Sequence, residues 1–254
     1  MTNIKLPKGK KVYFASDNHL GAPTMKDSRQ RELKFVRWLD MVKSDAGVIF
    51  LMGDLFDFWF EYKTVIPKGF TRTLGKLAEL SDAGISMHYF VGNHDLWMSG
   101  YFEEELHIPV YHTPKQYSIN GVSFFIGHGD GLGPNDKGYK RMKKVFTNPL
   151  AKWLFKWLHP DIGVRLAQYF SVKNKLISGD DDAKFLGEDK EWLVQYAHRK
   201  LEQHHYDHFV FGHRHLPLEI KLTETSKYTN LGDWVNFYTY AEFDGTHLLL
   251  KKFN

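Results

Sequence analysis

The chain has 254 residues, 43% hydrophobic and 25% charged, which suits one large globular domain with a sizeable buried core. A net charge of only +4 gives no case for a nucleic-acid partner. The lack of cysteine excludes disulfides and thiolate metal sites and fits a reducing compartment.

The amino terminus, "MTNIKLPKGKKVYFAS", is basic, but its apolar stretch is too short for a signal peptide. No apolar run reaches the roughly 18 residues of a membrane span. The expectation is a soluble cytoplasmic protein, with peripheral contact at the cytoplasmic face of the inner membrane left open. "KVYFAS" (11–16) reads as a buried strand, followed by a helical pattern over 28–43. "GVIFLMG" (47–53) is a second strand, 70–83 a second helix and "ISMHYFVG" (85–92) a third strand. "VSFFIGHG" (122–129) is a fourth. From about 134 to 195 the strand signal gives way to helices. Residues 137–160 there carry seven basic side chains (Lys137, Lys140, Arg141, Lys143, Lys144, Lys152, Lys156) and no acidic one. Leu150, Trp153, Leu154, Trp157 and Leu158 recur on one helical face. "HFVFGH" (208–213) is again a strand, and the tail from 227 closes with strands around a "FDGTH" turn. Alternating strands and helices followed by further strands predict an α/β sandwich. Residues 1–254 read as a single domain with a helical cap insertion at about 134–195.

Each buried strand ends in metal-competent side chains. The clusters are "SDNH" (Asp17, His19), "GDLFD" (Asp54, Asp57), "GNHD" (Asn93, His94, Asp95), "GHGD" (His128, Asp130) and "GHRH" (His213, His215). Sites in α/β sheets form beyond the carboxyl ends of strands, so five such ends can converge. Alternation along an extended chain would put Asp17 and His19 on one side, and likewise His213 and His215. Carboxylate, imidazole and amide donors suit Mn²⁺, Fe or Zn²⁺. A shared carboxylate can bridge two metals roughly 3.5–4 Å apart. Two divalent cations against Asp17 and Asp54 leave the site electropositive, which favours a phosphate substrate. A single His at a strand end is more often structural, and an Asp after Gly is usually a turn residue. Five clusters in order, each at a strand end, make coincidence a poor account.

The ordered set Asp17-Asn18-His19, Gly53-Asp54, Gly92-Asn93-His94-Asp95, Gly127-His128 and Gly212-His213-Arg214-His215 resembles the calcineurin-like metallophosphoesterase superfamily. The resemblance implies a four-layered α/β/β/α sandwich and two divalent cations, Mn²⁺ foremost. One cation would take Asp17, His19, Asp54 and His215, the other Asp54, Asn93, His128 and His213. More narrowly, "GDLFDFWF" and "HGDGLGPNDKGYKRMKK" look like the UDP-2,3-diacylglucosamine diphosphatase family of lipid A synthesis, with the likeness weakest over 145–200. Well-known members of that family carry Arg where this chain has His94. The likeness implies a nucleotide-sugar lipid substrate, cleaved to UMP and 2,3-diacylglucosamine 1-phosphate by in-line attack at the phosphorus proximal to uridine. No protein partner is implied.

By the same likeness, His94 would stabilise the developing charge or protonate the leaving phosphate, oriented by Asp95. Asp57 and Asp130 either orient ligands or cap turns. Asn93, His94, His213, Asp136, Ser171, Asn174 and Lys175 would contact substrate. The basic Trp/Leu helix suits an anionic membrane surface or an acyl-chain chamber, against the plainer reading that it packs on its own protein. The rivals are a phosphodiesterase or nucleotide pyrophosphatase without lipid specificity, and a binding module that has lost turnover.

Overall fold

The computed structural model describes residues 1–133, 137–166, 169, 185 and 187–254. The first sheet is built on three strands that are buried over most of their length, β2 (Lys11–Ala15), β3 (Ala46–Leu51) and β4 (Ser86–Phe90). They pair in parallel. The two-residue β5 (Val110–Tyr111) extends one edge, and β11 (Thr239–Phe243) with β12 (Leu248–Lys252) extends the other. The second sheet runs β1 (Thr2–Ile4), β6 (Lys115–Ile119), β7 (Val122–Gly127), β8 (His208–Phe211), β10 (Lys227–Leu231), β9 (Pro217–Lys221).

The inner faces meet in a shared apolar layer. Val12, Phe14, Val48 and Phe50 from the first sheet face Phe124, Ile126, Val210 and Leu231 from the second. The Phe14 ring stacks on Phe50 at 5.1 Å and lies 6.1 Å from Phe124. Helices α1 (Met25–Val42) and α2 (Thr71–Asp82) bury Phe35, Trp38, Leu77 and Leu80 over the outer face of the first sheet. The sandwich is therefore α/β/β/α, as the family resemblance implies. Strands buried on both faces need long apolar runs, which is why β2, β3, β4, β7 and β8 are readable. β1, β5, β6 and β9 are not among the expected strands. They lie at or beside sheet edges and keep polar residues on a solvated face, so their hydrophobic signal is short or broken.

Local chemistry sets the boundaries. The Thr24 hydroxyl accepts a hydrogen bond from the Asp27 amide and caps α1, which begins three residues ahead of the predicted start. In the predicted terminal hairpin, Phe243 pairs with Leu248, and the Asp244 carboxylate accepts from the Thr246 and His247 amides.

A single helical turn, α3 (Tyr101–Glu104), precedes β5, while α4 (Lys137–Phe146) and α5 (Pro149–Lys156) come after β7. Asn148 caps α5 with Pro149 in its first turn. Phe155 docks α5 on the core, 4.6 Å from both Phe60 and Trp97. The opposite stripe faces outward: Leu150, Trp153, Leu154 and Trp157 are 54–75% exposed. Helix α6 (Trp192–Leu201) begins inside the stretch 134–195 but lies in the outer layer of the second sheet, where Leu193, Val194 and Ala197 pack on Phe125, Phe209 and Phe211. Among the described residues no helix is long and apolar enough to cross a membrane.

Candidate metal centre

The carboxyl ends of β2, β3, β4, β7 and β8 point to one place, and the five polar clusters meet there. Asp17, His19 and His215 bring one ligand atom each into a common nest; Asp54, His128 and His213 form another; His19, Asp54 and His94 form a third. His19 and His215 stack with centroids 4.8 Å apart and turn their Nε2 atoms to within 3.2 Å of each other. His215 Nε2 lies 3.4 Å from Asp17 Oδ1, and His128 Nε2 lies 3.4 Å from Asp54 Oδ2 and 3.3 Å from Asn93 Oδ1. Asp54 Oδ2 is also 3.8 Å from His19 Nε2, so one carboxylate oxygen reaches both sides of the cluster.

The convergence is not produced by alternation along an extended chain. Asp17 (φ 58°), His19 (φ 44°), Asp54 (φ 52°), His213 (φ 66°) and His215 (φ 51°) all occupy the left-handed region. A non-glycine residue there is strained, and such residues gather where surrounding structure holds them for a purpose. The backbone kinks at each of these positions, and the kinks turn Asp17 with His19, and His213 with His215, toward the same centre. Two glycines allow the loops to close on one another. A Cβ at Gly92 would collide with Asp54, and one at Gly212 with Ser16 and Asp17.

Protonation states are set by what each ring touches. His128 Nδ1 donates to the Met52 carbonyl at 2.8 Å, which leaves Nε2 facing the centre. His215 Nδ1 lies 3.3 Å from Asp233 Oδ2, which orients Nε2 the same way. Burial, reinforced by His128, pushes His213 down to about 3, so it is a neutral donor. Burial raises Asp17. Burial opposes the ionised form of Asp54 as well, but His128 and His94 outweigh it and hold Asp54 well below the usual carboxylate range. Asp54 in turn draws a proton to His128, against burial, and raises it to about 10. A divalent cation would displace that proton.

These residues fit a pair of cations. The donor set mixes carboxylate, imidazole and amide, as hard-to-borderline divalent metals prefer. Asp17 Oδ1 is buried with no hydrogen-bond partner among the described residues, a costly arrangement for a carboxylate unless a cation meets it.

Around the nests, several expectations change. Asp95 does not orient His94 as the sequence suggests, because its carboxylate is occupied elsewhere. It accepts from the Leu55 amide at 3.0 Å, the Gly92 amide at 2.7 Å and the Tyr89 hydroxyl. Fully buried beside Asp54, it is pushed up to about 7, by burial first and then by that charge. Its bonds tie the Asp54 loop to the Asn93 loop. His94 is oriented instead by Asp57, whose carbonyl lies 3.0 Å from His94 Nδ1. The His94 amide donates to Asp54 Oδ1 at 2.8 Å. The Asp57 carboxylate lies 3.4 Å from His19 Nδ1. Asp130 pairs with Lys143 of α4 and links the centre to the helices after β7. Asp136, Ser171, Asn174 and Lys175 lie outside the described residues.

Some supporting residues escape the sequence reading. Asp233 orients His215 and also accepts from the Val235, Asn236 and Phe237 amides. Asn230 donates to the Gly212 carbonyl at 2.6 Å and steadies the turn before His213. Both sit in "NLGDW", where a Gly-Asp pair after an apolar strand repeats the form of the other clusters and is a usable signal. Arg31 binds the His19 and Ala22 carbonyls from α1 and has no such signal.

Comparison with known proteins bears on the family. Residues 10–217 match the calcineurin-like phosphoesterase family. The chain is 38% identical over 255 residues to a UDP-2,3-diacylglucosamine hydrolase of Porphyromonas gingivalis, covering 95% of this chain and 97% of that one. It is 26% identical over 224 residues to a protein of the same name from Shewanella baltica, covering 88% and 89%. Among solved structures, the phosphoesterase Yfce from E. coli aligns with a TM-score of 0.48 at 17% identity, over 96% of this chain and 93% of the other. With a family match across most of its length and a relative this similar over nearly all of it, the chain belongs to the calcineurin-like phosphoesterase family.

Proposed function

We propose that this phosphoesterase is a dinuclear metal-dependent hydrolase that cleaves the pyrophosphate of UDP-2,3-diacylglucosamine, releasing UMP and 2,3-diacylglucosamine 1-phosphate. The observation that carries the chemistry is Asp54, buried between the His19 and His128 nests with one oxygen within 3.8 Å of both rings. The substrate rests on the near full-length likeness to the P. gingivalis protein of that name.

Asp17, His19, Asp54 and His215 would hold one cation, and Asp54, Asn93, His128 and His213 the other, with Mn²⁺ preferred over Fe or Zn²⁺. Bound there, the pair supplies Lewis acidity toward phosphoryl oxygens and a water of lowered pKa. The chain's own groups do the rest. His94, with Nδ1 donating to the Asp57 carbonyl, keeps Nε2 for a proton that it delivers to the leaving phosphate oxygen. Its amide bond to Asp54 holds this ring in register with the centre. Asp95 acts as a positioning residue through the Leu55 and Gly92 amides. Asn93, His94, His213, Asp136, Ser171, Asn174 and Lys175 are the proposed substrate contacts. The outward Trp153 and Trp157, with Lys152 and Lys156 on the same short helix, suit peripheral contact with an anionic lipid surface, where such a substrate resides.

The test is release of UMP from UDP-2,3-diacylglucosamine by the Mn²⁺-loaded protein, against bis(p-nitrophenyl) phosphate and UDP-N-acetylglucosamine. Preference for the diacylated substrate supports the assignment. Equal or faster cleavage of the simple esters would replace it with a general phosphodiesterase.

A further inference from the structure

The turn that follows β2 is held from two sides. The Ala22 amide donates to the His19 carbonyl and closes it. On one side the His19 amide donates to the Asp54 carbonyl, and the Leu20 amide to the Leu55 carbonyl, which ties the turn to the loop after β3. On the other side stands α1, which reaches the turn with two side chains one helical turn apart, Ser28 and Arg31. The buried Ser28 hydroxyl accepts from the Gly21 amide at 3.0 Å. Arg31 donates through one nitrogen, Nη2, to both the His19 carbonyl (2.7 Å) and the Ala22 carbonyl (2.5 Å), so it clasps both ends of the turn. An arginine is a costly occupant of this place. Those two bonds go to neutral carbonyls, and its Nε is buried with no hydrogen-bond partner among the described residues. Burial lowers Arg31 from its ordinary value, against the pull of Asp57, Tyr238 and Asp233. Two of these three groups are the carboxylates beside the ligand rings: Asp57 lies 3.4 Å from His19 Nδ1, and Asp233 3.3 Å from His215 Nδ1.

Resting on the two-cation reading proposed above, we infer that Arg31 is a positioning residue for the cation assigned to the Asp17, His19 and His215 nest, and not for its neighbour. His19 stands at a left-handed φ of 44°, a backbone state that surrounding structure must hold. Arg31 holds it at its own carbonyl. The same guanidinium is the cation that faces both orienting carboxylates, whose place beside the two Nδ1 atoms leaves each Nε2 turned to the centre. The other nest takes its support elsewhere. His128 is fixed by the Met52 carbonyl after β3, and the turn before His213 by Asn230 of β10. One helix side chain thus bears on one cation and leaves the other alone.

Calorimetric titration of the metal-free protein with Mn²⁺ tests this. Arg31→Gln keeps an amide donor and loses the charge. It should weaken one of the two binding events about 10–100-fold, the effect of removing an outer partner of a ligand, and leave the other within about two-fold. Arg31→Lys keeps a charge without the planar fork and should weaken the same event less, by about three- to ten-fold. A merely structural role would lower resistance to denaturant without sorting the two events. Two unchanged events in Arg31→Gln, or an equal loss in both, overturns the inference. Should Arg31→Gln fail to fold, either of those outcomes in Arg31→Lys overturns it instead. Fewer than two Mn²⁺ bound by the unaltered protein is a different result: it removes the two-cation reading, and this one with it.

Discussion

Arg214, between the two histidines of the last cluster, grips Glu191 at the start of α6 with a two-pronged pair of hydrogen bonds, Nε to Oε2 and Nη2 to Oε1, both 3.0 Å. Both side chains are buried. The fork anchors the strained His213–His215 turn to a core helix, and Trp192, the next residue, packs 5.7 Å from the His213 ring. Removing Arg214 takes this counter-charge from the buried Glu191 carboxylate. Arg214→Met should therefore cost about 3–5 kcal/mol in metal-free protein, and Arg214→Met with Glu191→Leu should recover much of it. Denaturant unfolding of the single and double variants measures this; a double variant no better than the single would mean the pair is not the anchor.

Asp233 reaches His215 from outside the nest. Asp233→Asn keeps an oxygen for the Val235 and Asn236 amides but withdraws the charge from His215 Nδ1. Affinity for one of two Mn²⁺ ions should fall about 10–100-fold, with the fold intact. Calorimetric titration of the metal-free protein reads this directly, and two unaltered binding events would exclude the role.

His94 is placed to move a proton while remaining outside the proposed ligand sets. His94→Ala should retain two Mn²⁺ per chain by elemental analysis and lose about 10²–10⁴-fold in turnover. Loss of metal together with activity would recast His94 as a ligand, which its place in the nest with His19 and Asp54 makes a concrete alternative outcome.

His208 begins β8 between the rings of Phe124 (4.9 Å) and Phe243 (6.3 Å), and burial pushes it down to about 4. Unfolded, a histidine titrates near 6.5. The unfolded chain thus binds more protons between those values. The stabilisation is full above about pH 6.5 and is lost as pH falls through 4, by at most about 3 kcal/mol. His208→Phe should narrow the gap in unfolding free energy between pH 7.5 and pH 4.5. An identical gap in both proteins would show that folding does not shift the titration of His208.

The exposed stripe on α5 gives a lipid test. Replacing Trp153 and Trp157 together by Ser should reduce co-flotation with phosphatidylglycerol vesicles and leave hydrolysis of a detergent-dispersed substrate within about two-fold, since both rings lie on the outward face. Vesicle binding equal to the unaltered protein would place the contact elsewhere.

The sequence by itself determined the sandwich and where its polar clusters fall. Runs such as "GVIFLMG" and "HFVFGH" are too apolar to be solvated on either face, so they had to be central strands, and the polar residues directly after them had to sit at strand ends. Tertiary structure decided how those ends work. Asp17, His19, Asp54, His213 and His215 take left-handed backbone conformations that local preference disfavours, so only the loops packed around them hold them there. The partners of Asp95, Asp233 and Arg214 depended on it too, because a carboxylate or guanidinium in sequence says nothing of which amide or counter-charge the fold will bring within 3 Å.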